Sequence, residues 1–159
     1  MTGVLITFNF TSMAFLAWAL LSGYQGVAIR THILIALGAT GFSVFAHSLT
    51  MMYFAAIGRM IREAVEKGGL DPAPVAETKG YRSIIFRMAF LAMTLVMLNT
   101  ILAGGAHTKA FPLWIHHALA LFATSVNAFV VYLEVRYLIV NHLLGHRVAR
   151  EFERMKDKG

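Results

Sequence analysis

Histidine is the residue type in this chain with the widest choice of chemistry. There are seven histidines and no cysteine. Without cysteine the chain cannot form a disulfide, an iron–sulfur cluster, a thiol nucleophile or a Cys-ligated zinc site. Imidazole, in contrast, is a common ligand for zinc, copper and haem iron. A metal or haem site in this protein would therefore be built from histidines.

The histidines fall into three groups along the chain. We predict a metal site at one end of the molecule, formed by His32, His107, His116 and His117. The candidate haem ligands are His32, His116, His117 and His47. The alternative for the first group is that helix-end histidines simply lie among lipid headgroups. His142 and His146 have the i, i+4 spacing of a metal pair, but no HExxH glutamate accompanies them, so we interpret both as interfacial.

The segments that must position these histidines are strongly apolar. The chain of 159 residues is 58% hydrophobic and 14% charged, and its mean hydropathy is +0.65. Soluble domains are nearer 45–50% apolar and about 25% charged. Four stretches are long enough to cross a bilayer as helices, near 4–24, 31–58, 82–103 and 112–140. We predict an all-α integral membrane protein, a single domain over 1–159 with four transmembrane helices in an up-down bundle.

Glycine and proline mark the connections between these spans. Gly23 and Gly26 separate the first two, and a predicted loop at 68–79 contains Pro72 and Pro74. The last two are separated by "AGGAH" and Pro112. The first span lacks the basic region and cleavage pattern of a secretory signal, so it is expected to be a retained helix.

The distribution of lysine and arginine predicts the orientation. Six lie between 59 and 87 and six between 136 and 158, whereas the other two loops hold only Arg30 and Lys109. By the positive-inside rule, the 68–79 loop and both termini are cytoplasmic. Helices 2 and 4 are expected to extend into the cytoplasm, the latter as a helical tail over 141–159. Such ends can pack together, meet anionic lipid or bind a partner, or they are simply solvated.

Each predicted helix carries a polar residue near its midpoint. The predicted structural layer consists of Ser12, Ser43, His47, Thr94 and Asn127, with Ser125 at the same depth. Unpaired polar groups are costly in hydrocarbon, so these side chains should face one another inside the bundle. We expect His47 to be hydrogen-bonded to Asn127 or to a neighbouring hydroxyl.

Arg87 and Glu134 lie at matching predicted depths on helices 3 and 4. Because an isolated charge inside a membrane is costly, we predict that they form an intramembrane ion pair. In the alternative, Arg87 reaches the cytoplasmic interface and Glu134 pairs with Arg136 or with a lipid amine.

Depth also restricts which histidines could share a haem. His47 and His116 differ by about 18 Å along the membrane normal, at about 1.5 Å per residue. His32 with His116 or His117 is a better match, as is His47 with a methionine such as Met93. A haem b held in this way would give a layout similar to the membrane cytochrome b anchors of respiratory enzymes, a similarity of architecture alone.

No motif for catalysis is present: GxSxG, the P-loop, HExxH and the dinucleotide fingerprint are all absent from the sequence. We predict a non-catalytic accessory or anchor subunit of an energy-converting, electron-transfer membrane complex. Its expected partners are other membrane-protein subunits and lipids, and no nucleic acid is expected in so apolar a chain. The inner membrane of a bacterium is the expected location. The first alternative is a small b-type cytochrome, with quinone as a partner if haem is bound. The second is a small transporter or proton-conducting element with a path through His47, Asn127, Glu134 and Arg87, but no inverted repeats support it.

Overall fold

The computed structural model describes residues 1–157, apart from the side chain of His107. Four α-helices account for nearly all of this range: α1 (Thr2–Tyr24), α2 (Ile29–Gly68), α3 (Ala73–His107) and α4 (Leu113–Lys156). All four are long and apolar enough to cross a membrane. The predicted all-α, four-helix fold is confirmed, and the described residues contain no strand.

The bundle is built around α2 and α4. These two helices contact each other, and α1 and α3 each pack against both of them from opposite sides. Consecutive helices run in opposite directions because the turns between them are short. We call the end that holds residue 1, the α2–α3 turn and the end of α4 the basic end. The opposite end holds the α1–α2 turn (25–28) and the α3–α4 turn (108–112).

The α2–α3 turn is much shorter than the loop predicted at 68–79. Gly69 ends α2 with a left-handed φ of 58°, which favours glycine, and its N–H donates to the carbonyl of Val65. The Asp71 carboxylate accepts the N–H of Ala73, where α3 begins. Pro72 and Pro74 flank that position, and a proline in the first turn of a helix loses no hydrogen bond. The prolines therefore start a helix here, and the prediction of a loop to residue 79 was wrong.

At the basic end three helices, rather than the predicted two, continue beyond the level at which α1 begins. α1 begins at Thr2, and its Leu5 lies against the apolar cluster formed by α2, α3 and α4 at that level. Beyond α1, the other three helices form an extension with its own buried core: Ile61, Val65, Leu144 and Val148. Val75 and Tyr81 of α3 pack against this core. The predicted tail over 141–159 is a continuation of α4 as far as Lys156, and residues 158 and 159 lie outside the described range.

Within the bundle, two apolar layers enclose a polar level. The layer on the basic side consists of Leu5, Tyr53, Phe54, Ile85 and Leu138. The layer on the opposite side consists of Leu16, Ala19, Ala39, Val96 and Ala123.

The outer surface of the bundle is apolar, with large side chains such as Phe10, Trp18, Phe90 and Trp114 exposed. Several polar side chains, in contrast, are buried inside. This is the distribution expected of helices packed in lipid, where interhelical contacts use small and polar residues.

Candidate functional site

The candidate site is the polar level between the two apolar layers. We call it the buried polar cluster and define it by six residues, each with 0% exposure: Asn9, Ser43, His47, Thr50, Asn127 and Glu134. The residues come from α1, α2 and α4, so the cluster exists only when those helices pack together.

His47 is the centre of the cluster because both of its ring nitrogens contact α4. Its Nδ1 lies 2.9 Å from Oε1 of Glu134, and its Nε2 lies 3.0 Å from Oδ1 of Asn127. The two α4 residues are seven positions apart, about two helical turns or 10 Å. One imidazole thus fills the gap between an amide and a carboxyl group on the same helix face.

The hydrogen bonds of Asn127 determine which of its atoms faces His47. Its Nδ2 donates to the carbonyl of Ala123 at 2.9 Å and to the carbonyl of Ala92 at 3.4 Å. Its Oδ1 accepts the hydroxyl of Ser43 at 3.2 Å. Because this oxygen can only accept, Nε2 of His47 must carry a hydrogen.

One further proton lies on the contact between His47 and Glu134. If it is on Nδ1, the pair is an imidazolium and a carboxylate, and if it is on Oε1, the pair is a neutral imidazole and a carboxylic acid. The net charge of the pair is zero in both cases. A buried ionisable group needs such a partner, because an uncompensated charge in the core is strongly destabilising.

Asn9 and Thr50 complete the cluster on the side of α1. The hydroxyl of Thr50 donates to the carbonyl of Ala46 at 3.1 Å, so its oxygen accepts Nδ2 of Asn9 at 3.2 Å. The side chain of Asn9 also lies beside the carboxyl group of Glu134. Sequence reasoning missed Asn9, and it placed Thr50 on the same face of the second helix as Ser43 and His47 without assigning it to the polar layer. A signal was available in Asn9, a strongly polar residue three positions before Ser12 in an apolar span.

The predicted midplane layer forms only in part. The structure brings together Ser43, His47 and Asn127, and it buries Ser12, which donates to the carbonyl of Asn9 on its own helix. Thr94 is only partly buried, and no side-chain hydrogen bond joins it to the described cluster. Ser125 is exposed and donates to the carbonyl of Leu121. α3 reaches the cluster with the backbone oxygen of Ala92 alone.

The predicted ion pair between Arg87 and Glu134 is not formed. Arg87 is exposed, and its Nε donates to the carbonyl of Ser83 one turn earlier. Glu134 is buried against His47 instead. The predicted depths matched, but the two side chains lie on different faces: Arg87 points away from the bundle, and Glu134 points into it.

A second notable feature is a cavity of about 330 Å³ at the opposite end. We call it the histidine cavity, after His32, His116 and His117, which all line it. Its walls are mainly apolar, and the other polar side chains around it include Thr40, Asn99 and Thr100. The structure thus brings three of the four predicted haem ligands to one space, while His47 belongs to the buried polar cluster.

The orientation of His32 is determined by α1. Ser22 donates its hydroxyl to the carbonyl of Ala19 at 2.8 Å, so its oxygen accepts Nδ1–H of His32, also at 2.8 Å. Gly23 permits this approach, because a Cβ there would lie 3.2 Å from Cε1 of His32. Histidines that ligate metals are commonly oriented by a hydrogen bond of this kind.

The remaining histidines do not assemble a metal site in the described part of the chain. No group of three or more His, Asp, Glu or Cys side chains is placed to hold a metal ion there. The ring of His117 lies 5.1 Å from that of Tyr24 and 5.9 Å from that of His116. The side chain of His107, the fourth predicted ligand, lies outside the described residues. The rings of His142 and His146 are adjacent, with centroids 4.4 Å apart.

Comparison with known proteins finds no family model, no curated protein and no solved structure that matches this chain.

Proposed function

We propose that this chain is a non-catalytic integral-membrane subunit of an energy-converting, electron-transfer complex. The observation that carries the proposal is the pair of His47 and Glu134, buried in the membrane-spanning part and enclosed by apolar layers on both sides. An ionisable pair at such a depth is a marker of function. Because the pair is enclosed, it is better suited to holding a charge or a proton than to reacting with a soluble substrate.

The extension at the basic end supports the role of a subunit. Its helices have a buried core of their own, so they form a platform rather than frayed ends. Its surface carries both signs of charge, including Arg147 and Glu77, whose side chains are 3.6 Å apart and exposed. We propose that this platform contacts a partner subunit on the cytoplasmic side of a bacterial inner membrane.

Purification from native membranes tests this assignment. The full chain, with an affinity tag, would be extracted in a mild detergent, and its companions would be identified by mass spectrometry. We expect a membrane protein with a redox cofactor to co-purify in a fixed ratio. A chain that runs alone after gentle extraction would contradict the proposal.

Labelling of introduced cysteines tests the orientation, because the natural chain has none. Lys67→Cys lies at the basic end and Thr108→Cys at the opposite end, and both positions are exposed. In intact cells, an impermeant thiol reagent should label the second variant and not the first. The reverse pattern would invert the proposed topology.

A small b-type cytochrome is the second candidate, and the histidine cavity favours it. His32 on α2 and His116 on α4 line the same apolar space, and Ser22 orients the ring of His32 through its Nδ1. A haem there would be ligated by these two imidazoles and would supply one-electron transfer, with quinone as the partner in that case. Other divalent metals would use the same nitrogens.

A visible spectrum of the purified protein decides between the two candidates. A Soret band that is lost in His32→Ala and His116→Ala, and retained in His146→Ala, would establish the cytochrome. A spectrum without that band would exclude the cytochrome and leave the anchoring subunit as the proposed function. Metal analysis of the same variants tests a simple metal ion, since equal content in all of them would exclude this cavity as its site.

A further inference from the structure

We propose that a groove between α3 and α4 at the basic end binds the headgroup of an anionic phospholipid. The groove has a volume of about 510 Å³ and is lined by Glu77 of α3 and by six residues of α4 between positions 140 and 150. We call it the basic groove. The inference goes beyond an anchoring role, and because it concerns the isolated chain, it does not depend on a partner complex.

The α4 side of the basic groove changes from apolar to basic along the helix. Val140 and Leu143 come first, and both side chains are exposed although they are apolar. His146, Arg147 and Arg150 follow within the next two turns, and all three are exposed. From Val140 to Arg150 the helix rises by about 15 Å, at about 1.5 Å per residue. This length is sufficient to pass from the acyl chains of a bilayer into its headgroup layer.

The floor of the basic groove is part of a packed core. Leu144 lines the groove, is only 5% exposed and belongs to the buried core of the extension together with Ile61, Val65 and Val148. Tyr81, one turn after Glu77 on α3, packs against the same core. The groove is therefore a fixed feature of the three-helix extension, because both of its walls are held by that core.

The charges that line the basic groove sum to +1 when His146 is neutral, since two arginines oppose one glutamate. Arg147 lies 3.6 Å from Glu77, so these two charges largely compensate each other. Arg150, in contrast, forms no ion pair with any of the described residues. A phosphodiester group carries one negative charge, and its binding would neutralise the groove.

The two ends of the basic groove together indicate a lipid rather than a free anion. Arginine binds phosphate through its planar fork of N–H donors, and basic pockets between transmembrane helices bind anionic headgroups. A free phosphate ion would contact the basic end alone. A phospholipid would also lay its acyl chains over Val140 and Leu143, which the protein leaves exposed.

Native mass spectrometry of the full, delipidated chain in a neutral detergent tests the proposal. Phosphatidylglycerol and phosphatidylcholine with the same acyl chains would be added in turn, and we expect one phosphatidylglycerol to bind in preference to phosphatidylcholine. Arg150→Gln should weaken the binding of phosphatidylglycerol about fivefold, which is the effect of one cation near an anionic headgroup. The binding of phosphatidylcholine should not change.

Two further variants separate the basic groove from the general positive charge of the extension. Arg62→Gln makes the same charge change at an exposed position of α2 outside the groove, and it should leave the affinity for phosphatidylglycerol unchanged. Glu77→Gln removes the one carboxylate of the groove and should raise that affinity, a gain that damage to the fold would not produce. Because Arg150 is exposed, its variant should unfold at the wild-type temperature when no lipid is present.

Four results would overturn the proposal. Equal binding of the two lipids would show that a negative headgroup is not required. Equal losses of binding in Arg150→Gln and Arg62→Gln would show that the positive charge acts without a defined site. Displacement of the lipid by inorganic phosphate would identify the ligand as a free anion. If Arg150→Gln instead released a co-purifying protein and left lipid binding intact, the groove would belong to an interface with that protein.

Discussion

The buried polar cluster and the histidine cavity both place a histidine of α2 beside α4, yet they differ in packing. In the cluster, His47 contacts side chains on both of its nitrogens and is fully enclosed. In the cavity, His32 is held by α1, and the helices around it leave about 330 Å³ of space. α2 and α4 therefore pack tightly at the level of the cluster, whereas a cavity lies between the helices at the level of His32.

Small side chains explain the tight level. Ala46, Ala89 and Ala92 are all 0% exposed next to the cluster, so the backbones of α2, α3 and α4 approach closely there. The contrast shows that residue type alone does not determine what a histidine does in this bundle. His47 joins α2 to α4 inside the tightly packed cluster, whereas His32 is bound to Ser22 of α1 and lines a cavity.

The largest expected effect comes from removing the carboxyl group that His47 contacts. Glu134→Ala should lower the free energy of unfolding by about 3–5 kcal/mol, because it leaves a buried ionisable partner uncompensated. Thermal or denaturant unfolding of the protein in detergent would measure the loss. Arg87→Ala is the control and should leave stability essentially unchanged, since Arg87 is exposed. If the Arg87 variant lost as much stability as the Glu134 variant, the ion pair predicted from the sequence would be reinstated.

The second-largest loss of stability is expected from Asn127→Leu. The substitution leaves the hydroxyl of Ser43 and Nε2–H of His47 without their acceptor, at a cost of about 1–3 kcal/mol. The same unfolding measurement applies, with Ser125→Ala as the control on the exposed face of α4. If Asn127→Leu left the free energy of unfolding unchanged, the cluster would not be what holds the helices together.

A matched pair of alanine substitutions compares the packing of the two regions directly. Ala46→Leu adds volume at a fully buried position and should cost about 1–3 kcal/mol through overpacking. Ala36→Leu projects into the histidine cavity and should be neutral or stabilising, because it fills space. Equal losses in the two variants would mean that the cavity closes in solution.

The smallest expected effect concerns the hydrogen bond between Thr40 and Thr100, whose oxygens are 2.8 Å apart beside the cavity. Interhelical hydrogen bonds of this kind in membranes average about 0.6 kcal/mol. A double-mutant cycle of Thr40→Val and Thr100→Val would measure the coupling. A coupling as large as that between His47 and Glu134 would erase the distinction between the two regions.

Parts of the site could be predicted from sequence because they depend on position along one helix. The predicted polar layer placed His47 and Asn127 at one level, and the structure joins them at 3.0 Å. The partner predicted for Glu134 was wrong, because Glu134 contacts His47 and Arg87 is exposed. Depth fixes the position of a side chain along the membrane normal, and the choice between Arg87 and His47 depends on how each helix is rotated about its axis.

Hydrophobicity and the placement of breakers determined the four helices, because apolar segments of this length must satisfy their backbone internally in a bilayer. The tertiary structure alone decided the rest. It turned Arg87 outward, brought Asn9 to Thr50 and Glu134, added α3 to the extension and opened the space around His32. Each of these depends on the rotation of a helix about its axis and on the fit between neighbouring helices. The residue pattern of one helix, taken by itself, specifies neither of them.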